Sequence, residues 1–447
     1  MKTSPELSAV KTMIFPEYDK KCGWFETLND VSDFAPLTES SSFRTIVIGG
    51  GFVGTAAARR LAENQPEEKI LLIDALKIGQ GASGRNSGFV INLPHKRDLE
   101  MGATEIKRKI LKLNRIAIAY LETQVKKFGI DCQWSNAGKY QAAVGERGLR
   151  RLSHFEDLLQ KLGVDYERLS GCALADIFGT NYYREAIFTP DSILMQPAAL
   201  MRGMADNMPE NVRVVESAPV VGIERKTDGF LVKTEHVGLR CKSIVLATNV
   251  FTEELGFMKN RILPVMTFAS MTRPLNDREM SLYKGKLDWG LTPADQAGTT
   301  LRMTRDRRLI IRNSFRYVHD YNTPKNVLPR IRAVHREGFN NRYPELTHVE
   351  FEYTWGGSSS ISGNFETFWG EVEEGIYLSC CDQSVGAARG TISGMMLADL
   401  ISGRNAELVR DMRDVSGNPS RLLPKPILKF GVPLRMELAR IASRSEL

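Results

Sequence analysis

Histidine and cysteine are both scarce in this chain, with six of each in 447 residues. Cys22, Cys132, Cys172, Cys241, Cys380 and Cys381 are scattered, and none forms a Cys-x-x-Cys pair. That pattern argues against a disulfide framework and against a zinc site, and for reduced, partly buried thiols in a reducing compartment. The few histidines fall in no sequence cluster that would suggest a triad or a metal centre. No apolar run approaches about eighteen residues, so no membrane span is expected. Met1 to Lys21 has no apolar core of the secretory kind, which points to a cytoplasmic protein. The charge excess is modest, +7 at neutral pH. Its basic residues crowd Arg302 to Arg342 without interleaved aromatics, so a solvated basic face is expected and no nucleic-acid partner.

What is present is ordinary globular composition, 42% hydrophobic and 25% charged, in a chain too long for one typical core. Two domains are expected. The organising stretch is Arg44 to Phe89. A short apolar run, Thr45-Ile46-Val47-Ile48, turns into Gly49-Gly50-Gly51-Phe52-Val53-Gly54. Small residues then read as a helix, and Ile70-Leu71-Leu72-Ile73 as a second buried strand followed by Asp74 and Ala75. Each part has a physical task in dinucleotide binding. Gly49 permits the tight turn, Gly51 lets a pyrophosphate approach the backbone, and Gly54 lets the helix lie close to the sheet. The helix N-terminus, opened by Phe52 and Val53, offers unpaired N–H groups to the phosphates. Asp74 can accept hydrogen bonds from both ribose hydroxyls and would repel a 2′-phosphate. NADP is disfavoured, while FAD and NAD remain.

The segment Gly79 to Phe89 follows directly. It is made of small and polar residues, including Gly81, Ala82, Ser83, Arg85, Asn86, Ser87 and Gly88, with no hydrophobic core of its own. Such a backbone suits close wrapping of a ligand, and its place after Asp74 suggests the remainder of the same cofactor.

Together, the opening unit and the Ala82–Gly88 segment resemble the FAD-dependent oxidoreductases of the D-amino acid oxidase type. The similar branch contains glycine oxidase, sarcosine oxidase and γ-glutamylputrescine oxidoreductase. The resemblance covers roughly Arg44 to Gly403. It implies FAD, and an α/β fold in which a Rossmann-like FAD-binding domain is interleaved with an antiparallel-sheet substrate domain. It implies that the 81–89 segment runs under the pyrophosphate and along the isoalloxazine, and that Val220 presents its backbone to the adenine. Ala247, Thr248 and Asn249 pass the cofactor, with Asn249 where a glycine is commoner. Gln383, Ser384, Val385 and Gly386 open a last helix toward the flavin pyrimidine edge, where partial positive charge stabilises the reduced anion. The activity implied is oxidation of an amine or amino acid by hydride transfer to flavin, giving an imine that hydrolyses. Dioxygen or an external carrier would take the electrons. That chemistry needs no nucleophile, and no catalytic residue is assigned.

The expected division is an N-terminal arm over 1–43 and a FAD-binding domain over 44–100, 190–262 and 354–403. The substrate domain takes 101–189 and 263–353, and 404–447 is an irregular tail. Helices are expected over Ala103–Phe128, Arg147–Leu162, Met195–Asn207 and Val327–Arg342, and a strand pair over Trp134–Val144 around Gly138. In the tail, the basic amphipathic stretch Leu434–Ile441 is expected to pack on the body, with membrane contact as the alternative. One departure from the family concerns the substrate. Thr354-Trp355-Gly356-Gly357-Ser358-Ser359-Ser360-Ile361 lacks the arginine that often clamps a carboxylate there. Either another arginine serves, Arg302 or Arg312 being the candidates beside Tyr140 and Trp355, or the substrate lacks an α-carboxylate. The common family histidine is replaced by Asp382-Gln383-Ser384, and no cysteine stands near Trp355, so non-covalent FAD is expected. A dehydrogenase of a hydroxy acid or polyol phosphate is the alternative enzyme. A non-catalytic FAD-binding subunit or tRNA-modifying scaffold is the alternative from another class.

Overall fold

The structure is a computed structural model that describes residues 15, 18, 21–94, 103–284, 286–295, 297–319, 321 and 326–447. Most of residues 1–20 of the N-terminal arm and the end of the 44–100 segment therefore lie outside the described residues.

The first sheet has the order β17 (Phe368–Glu373), β18 (Ile376–Cys380), β11 (Gly238–Leu246), β1 (Ser42–Ile48), β2 (Ile70–Ile73), β8 (Val212–Val215). The five strands from β18 to β8 are parallel. A hairpin of β9 (Val220–Lys226) and β10 (Gly229–Thr234) extends antiparallel from β11. The central strands read as unbroken apolar runs because both faces are covered. Val47, Leu72 and Val245 point into one core, while Ile46, Ile48, Leu71, Ile244 and Leu246 point into the other, as the two-residue period of a strand dictates.

Helix α1 (Phe52–Asn64) lies on the first of these faces. The long amphipathic helix α2 (Thr104–Phe128) packs there through Leu113, Ala117 and Leu121. Two more helices follow, α3 (Glu146–Leu162) and α4 (Pro197–Asp206), the latter capped by the Gln196 side chain. Helix α5 (Val327–Arg342) begins and ends where the sequence places it, but its buried face carries His335, Phe339 and Arg342, whereas Val334 is exposed. Helix α6 (Gly386–Ile401) closes the first domain.

The second sheet has the order β16 (Phe351–Ile361), β12 (Leu263–Thr272), β15 (Leu309–Tyr317), β14 (Thr300–Met303), β13 (Trp289–Pro293), β4 (Lys139–Ala143), β6 (Glu185–Thr189), β5 (Glu167–Ser170). All neighbours are antiparallel except β13 and β4. A small ribbon, β3 (Phe89–Val90) with β7 (Ile193–Leu194), stands apart from both sheets.

Three expectations need correction. The Trp134–Val144 stretch is no hairpin. β4 pairs with the distant β13 and β6, and Ser135 makes a single bridge to Leu194. Long-range partners satisfied the strand better than a local turn could. The chain does not return to the first domain at Thr354, because Thr354–Ile361 continues β16, hydrogen-bonded to β12. The return comes at Phe368. The region after Gly403 is not irregular, since it holds α7 (Ala406–Asp414) and α8 (Lys425–Ala442). Helix α8 lies against the body through half-buried residues, though none of its residues is fully buried.

Candidate FAD and substrate site

The turn out of β1 is built as the glycine pattern demands. Gly49 has φ +104°, a conformation that a side chain would strain. A Cβ on Gly54 would lie 1.7 Å from the Gly49 carbonyl oxygen, so helix α1 can start this close to the strand only with glycine there. The same close packing recurs between helices. A Cβ on Gly394 of α6 would meet the Val53 carbonyl oxygen at 2.0 Å. Small residues therefore draw α1 and α6 together, and Phe52 and Val53 of one helix start share a cavity with Gly386 and Ala387 of the other.

That cavity, of about 380 Å³, is lined from both sheets. Every sequence-predicted cofactor contact lines it except Gly54, Gly88 and Gln383. Gly54 serves helix packing. Gly88, at φ +77°, leaves room for Arg302, whose Nη1 would otherwise touch a Cβ. Gln383 turns away and donates to Ser362 Oγ, Glu366 O and Cys381 O. Asp382, its neighbour, takes the place in the wall. Cys381, Gln383 and Ser384 all have positive φ, a run of sparsely populated conformations of the kind that concentrates at ligand sites.

Asp74 Oδ2 accepts from Gly50 N at 2.6 Å and Oδ1 from Leu76 N at 2.7 Å. Burial pushes its carboxyl above the usual range, against the opposing pull of these two N–H groups. Ser83 Oγ accepts from Phe52 N, 3.0 Å away, and so ties the wrapping segment to the helix start. A Cβ on Gly51 would meet only the Ser83 side chain, its Oγ at 2.6 Å.

The arm contributes more than the sequence suggests. Phe15 and Tyr18 line the cavity. The Tyr18 hydroxyl bonds Ser358 Oγ, and its ring lies 4.5 Å from the Arg85 guanidinium carbon. Trp24 Nε1 donates to Asn86 O at 2.8 Å, bracing the segment from behind.

The substrate candidates separate cleanly. Tyr140 packs against Phe178 and Phe188, away from the cavity. Trp355 is fully buried and donates to Arg85 O at 3.1 Å. Arg302 donates through Nη1 to the carbonyls of Ser87, Gly88 and Met195, with Trp24 stacked 5.1 Å from its guanidinium. Arg312 alone of the four lines the cavity. It stands opposite Thr300 in the sheet, and Thr292 stands opposite Gln141. These four, with the buried Lys139 two residues before Gln141, make a polar floor at the cavity's substrate-domain side. Alternation within β4 places Lys139 and Gln141 on one face, but their partners across the sheet, Thr189 and Thr292, come from distant strands, which left no local signal.

The family model described as "FAD dependent oxidoreductase" (DAO) matches residues 44–400. The chain belongs to this family. Among curated members, the probable oxidoreductase OrdL of Haemophilus influenzae is 26% identical over 404 residues, covering 86% of this chain and 89% of that protein. γ-Glutamylputrescine oxidoreductase of Escherichia coli is 23% identical over 387 residues, covering 84% and 87%. The fold is that of glycine oxidase from Geobacillus kaustophilus, with a TM-score of 0.70 at 16% identity over 86% of this chain and 100% of that one. L-Proline dehydrogenase from P. horikoshii gives 0.68 at 19% identity over 85% and 98%.

As a DAO-family member the chain is a FAD-dependent oxidoreductase, and the cavity suits that cofactor. The glycine cradle, the two helix starts and the Asp74 carboxylate offer the donors and acceptors that a pyrophosphate and a ribose call for. Val220, Ala247 and Thr248 continue the wall from the first sheet.

Proposed function

We propose that the chain oxidises the carbon–nitrogen bond of a small amine that carries a carboxylate, and that Arg312 holds that carboxylate. The carrying observation is the state of Arg312. It is half-buried at the cavity wall, its guanidinium lies 5.5 Å from the Phe315 ring, and it has no hydrogen-bond or ion-pair partner among the described residues. Burial alone pushes its pKa down to about 10, so it stays charged at neutral pH. A cation partly withdrawn from water with no counter-ion is favoured by a ligand that supplies one, and a carboxylate fits its fork in two hydrogen bonds. Thr300 and Thr292 supply hydroxyls beside it, and Gln141 an amide.

FAD, when bound, supplies the oxidant, taking a hydride equivalent from the carbon beside a neutral amine and leaving an imine that water hydrolyses. The protein's part is placement. Arg312 and the threonines anchor one end of the substrate so that the reacting carbon is held in one orientation. Phe89, Ile91, Leu93 and Phe155 give the apolar side of the wall. Dioxygen or an external carrier then removes the electrons.

The test is anaerobic bleaching of the flavin-loaded protein by a panel of amines, matched amines with a carboxylate, and hydroxy acids. Bleaching by amino acids, with weak or no response to the matched amines, is expected. Bleaching by hydroxy acids alone overturns the reading. Acid precipitation of the same preparation should release all the flavin into solution, as non-covalent attachment requires; Cys380, which lines the cavity, makes this worth measuring.

A further inference from the structure

Helix α8 carries two apolar faces. Leu428, Val432, Met436 and Ala439 are half-buried toward the body. On the opposite side Leu423, just ahead of the helix, and Ile427, Phe430, Leu434, Leu438 and Ile441 are each more than half exposed, Phe430 at 81%. Their three- and four-residue spacing makes one continuous stripe along a helix about 27 Å long. Both ends are pinned. Leu422 N donates to Asn260 O at 2.7 Å, and beyond the helix Ser443 and Glu446 are buried, with Glu446 O accepting from Thr299 N at 2.8 Å. The stripe is thus held outward by the fold rather than left on a loose tail.

Charge says what covers it. Between Arg421 and Arg444 there are six basic residues and one acid, Glu437. The helical period places Arg435 along one edge of the stripe and Lys429 and Arg440 along the other. Arg440 is paired with Glu437 at 2.6 Å, while Lys425, Lys429 and Arg435 have no ion-pair partner among the described residues. A second copy of this chain would set these cations against their own kind. An apolar stripe with basic edges instead matches a surface of acyl chains beneath anionic headgroups, in which long basic side chains reach outward to the phosphates. Among the described residues no helix is long and apolar enough to cross a membrane, so the contact is parallel to the surface.

We propose that α8 is an interfacial helix that seats this protein on anionic lipid bilayers. The full chain, loaded with FAD, is floated with vesicles of phosphatidylcholine containing a quarter phosphatidylglycerol, and with vesicles of phosphatidylcholine alone. Binding to the anionic vesicles is expected, weakening as salt rises. Phe430→Asp with Leu434→Asp should lower the partition coefficient by about tenfold or more, and Lys429→Glu with Arg435→Glu should abolish the preference for anionic lipid. These side chains are exposed, so flavin absorption and thermal unfolding of the variants should match the parent. Equal or absent binding to both vesicle types overturns the proposal. So does a concentration-dependent dimer in sedimentation that the Phe430→Asp, Leu434→Asp variant loses, since the stripe would then be a self-association face.

Discussion

Arg302 and Arg312 stand on the same face of one sheet, on neighbouring strands, and only Arg312 opens into the cavity. Arg312 lies opposite Thr300, and Arg302, two residues further along β14, lies opposite Ile310. Directly paired residues share a face, as do residues two apart. What separates the two arginines is the cover. The Ser87–Gly88 turn, Met195 and Trp24 close over Arg302, and nothing among the described residues pairs with Arg312 across the open space.

The first prediction follows for Arg312. Arg312→Leu should leave flavin binding intact and raise the apparent KM for a carboxylate-bearing amine roughly a hundredfold, about 3 kcal/mol of lost charge-assisted hydrogen bonding. Arg312→Lys should recover part of this. Anaerobic reduction titrations report both. An unchanged KM in the leucine variant removes Arg312 from the substrate site.

For Arg302 the opposite outcome is expected. Its burial pushes the guanidinium pKa down to about 10, and its hydrogen bonds go to backbone carbonyls. Arg302→Met should lower unfolding stability by roughly 3 kcal/mol through those orphaned carbonyls, with KM for the substrate little changed in the protein that folds. Denaturant unfolding and steady-state kinetics on one preparation separate the two effects.

Gly51 and Gly54 should fail in different ways. Gly54→Ala drives a methyl into backbone and should cost about 3 kcal/mol or more of stability. Gly51→Ala meets the Ser83 side chain rather than backbone, so the apoprotein should fold while flavin affinity falls. Circular dichroism of the apoproteins and flavin fluorescence titration distinguish them.

Asp74 makes flavin affinity depend on pH. Burial raises its folded-state pKa above the unfolded value of 3.8. Between those two values the folded apoprotein holds a proton that the unfolded chain has lost, so apoprotein stability declines as pH rises through the window. Ribose hydroxyls donating to the carboxylate would favour its ionised form, so FAD should bind more tightly as pH rises through the same window. Asp74→Asn should weaken binding by about tenfold and flatten the profile. A flat profile in the parent protein would sink the assignment of Asp74 to the ribose.

The dinucleotide unit was readable from the chain because its physics is local. A tight turn, a helix start and an acid at the end of the next strand are all set within Arg44–Asp74, and β2 begins and ends where the apolar run does. The helices over 104–128 and 327–342 were legible for the same reason, through spacing and through breaks such as Gly129 at φ +61°. On α5 the residue types misled. Arg342 and His335 are buried because distant groups satisfy them, among them Tyr183 for Arg342 and Ser270 for His335.

Sequence by itself therefore determined the dinucleotide-type unit and the glycine-lined helix start at Phe52, since these depend on contacts between near neighbours. Tertiary structure decided which arginine faces the cavity, that Gly88 makes room for Arg302 rather than for a ligand, and that the arm reaches the cavity through Tyr18. Those outcomes rest on sheet register and on contacts across hundreds of residues, where side chains of the same type become either anchor or open charge according to what folds over them.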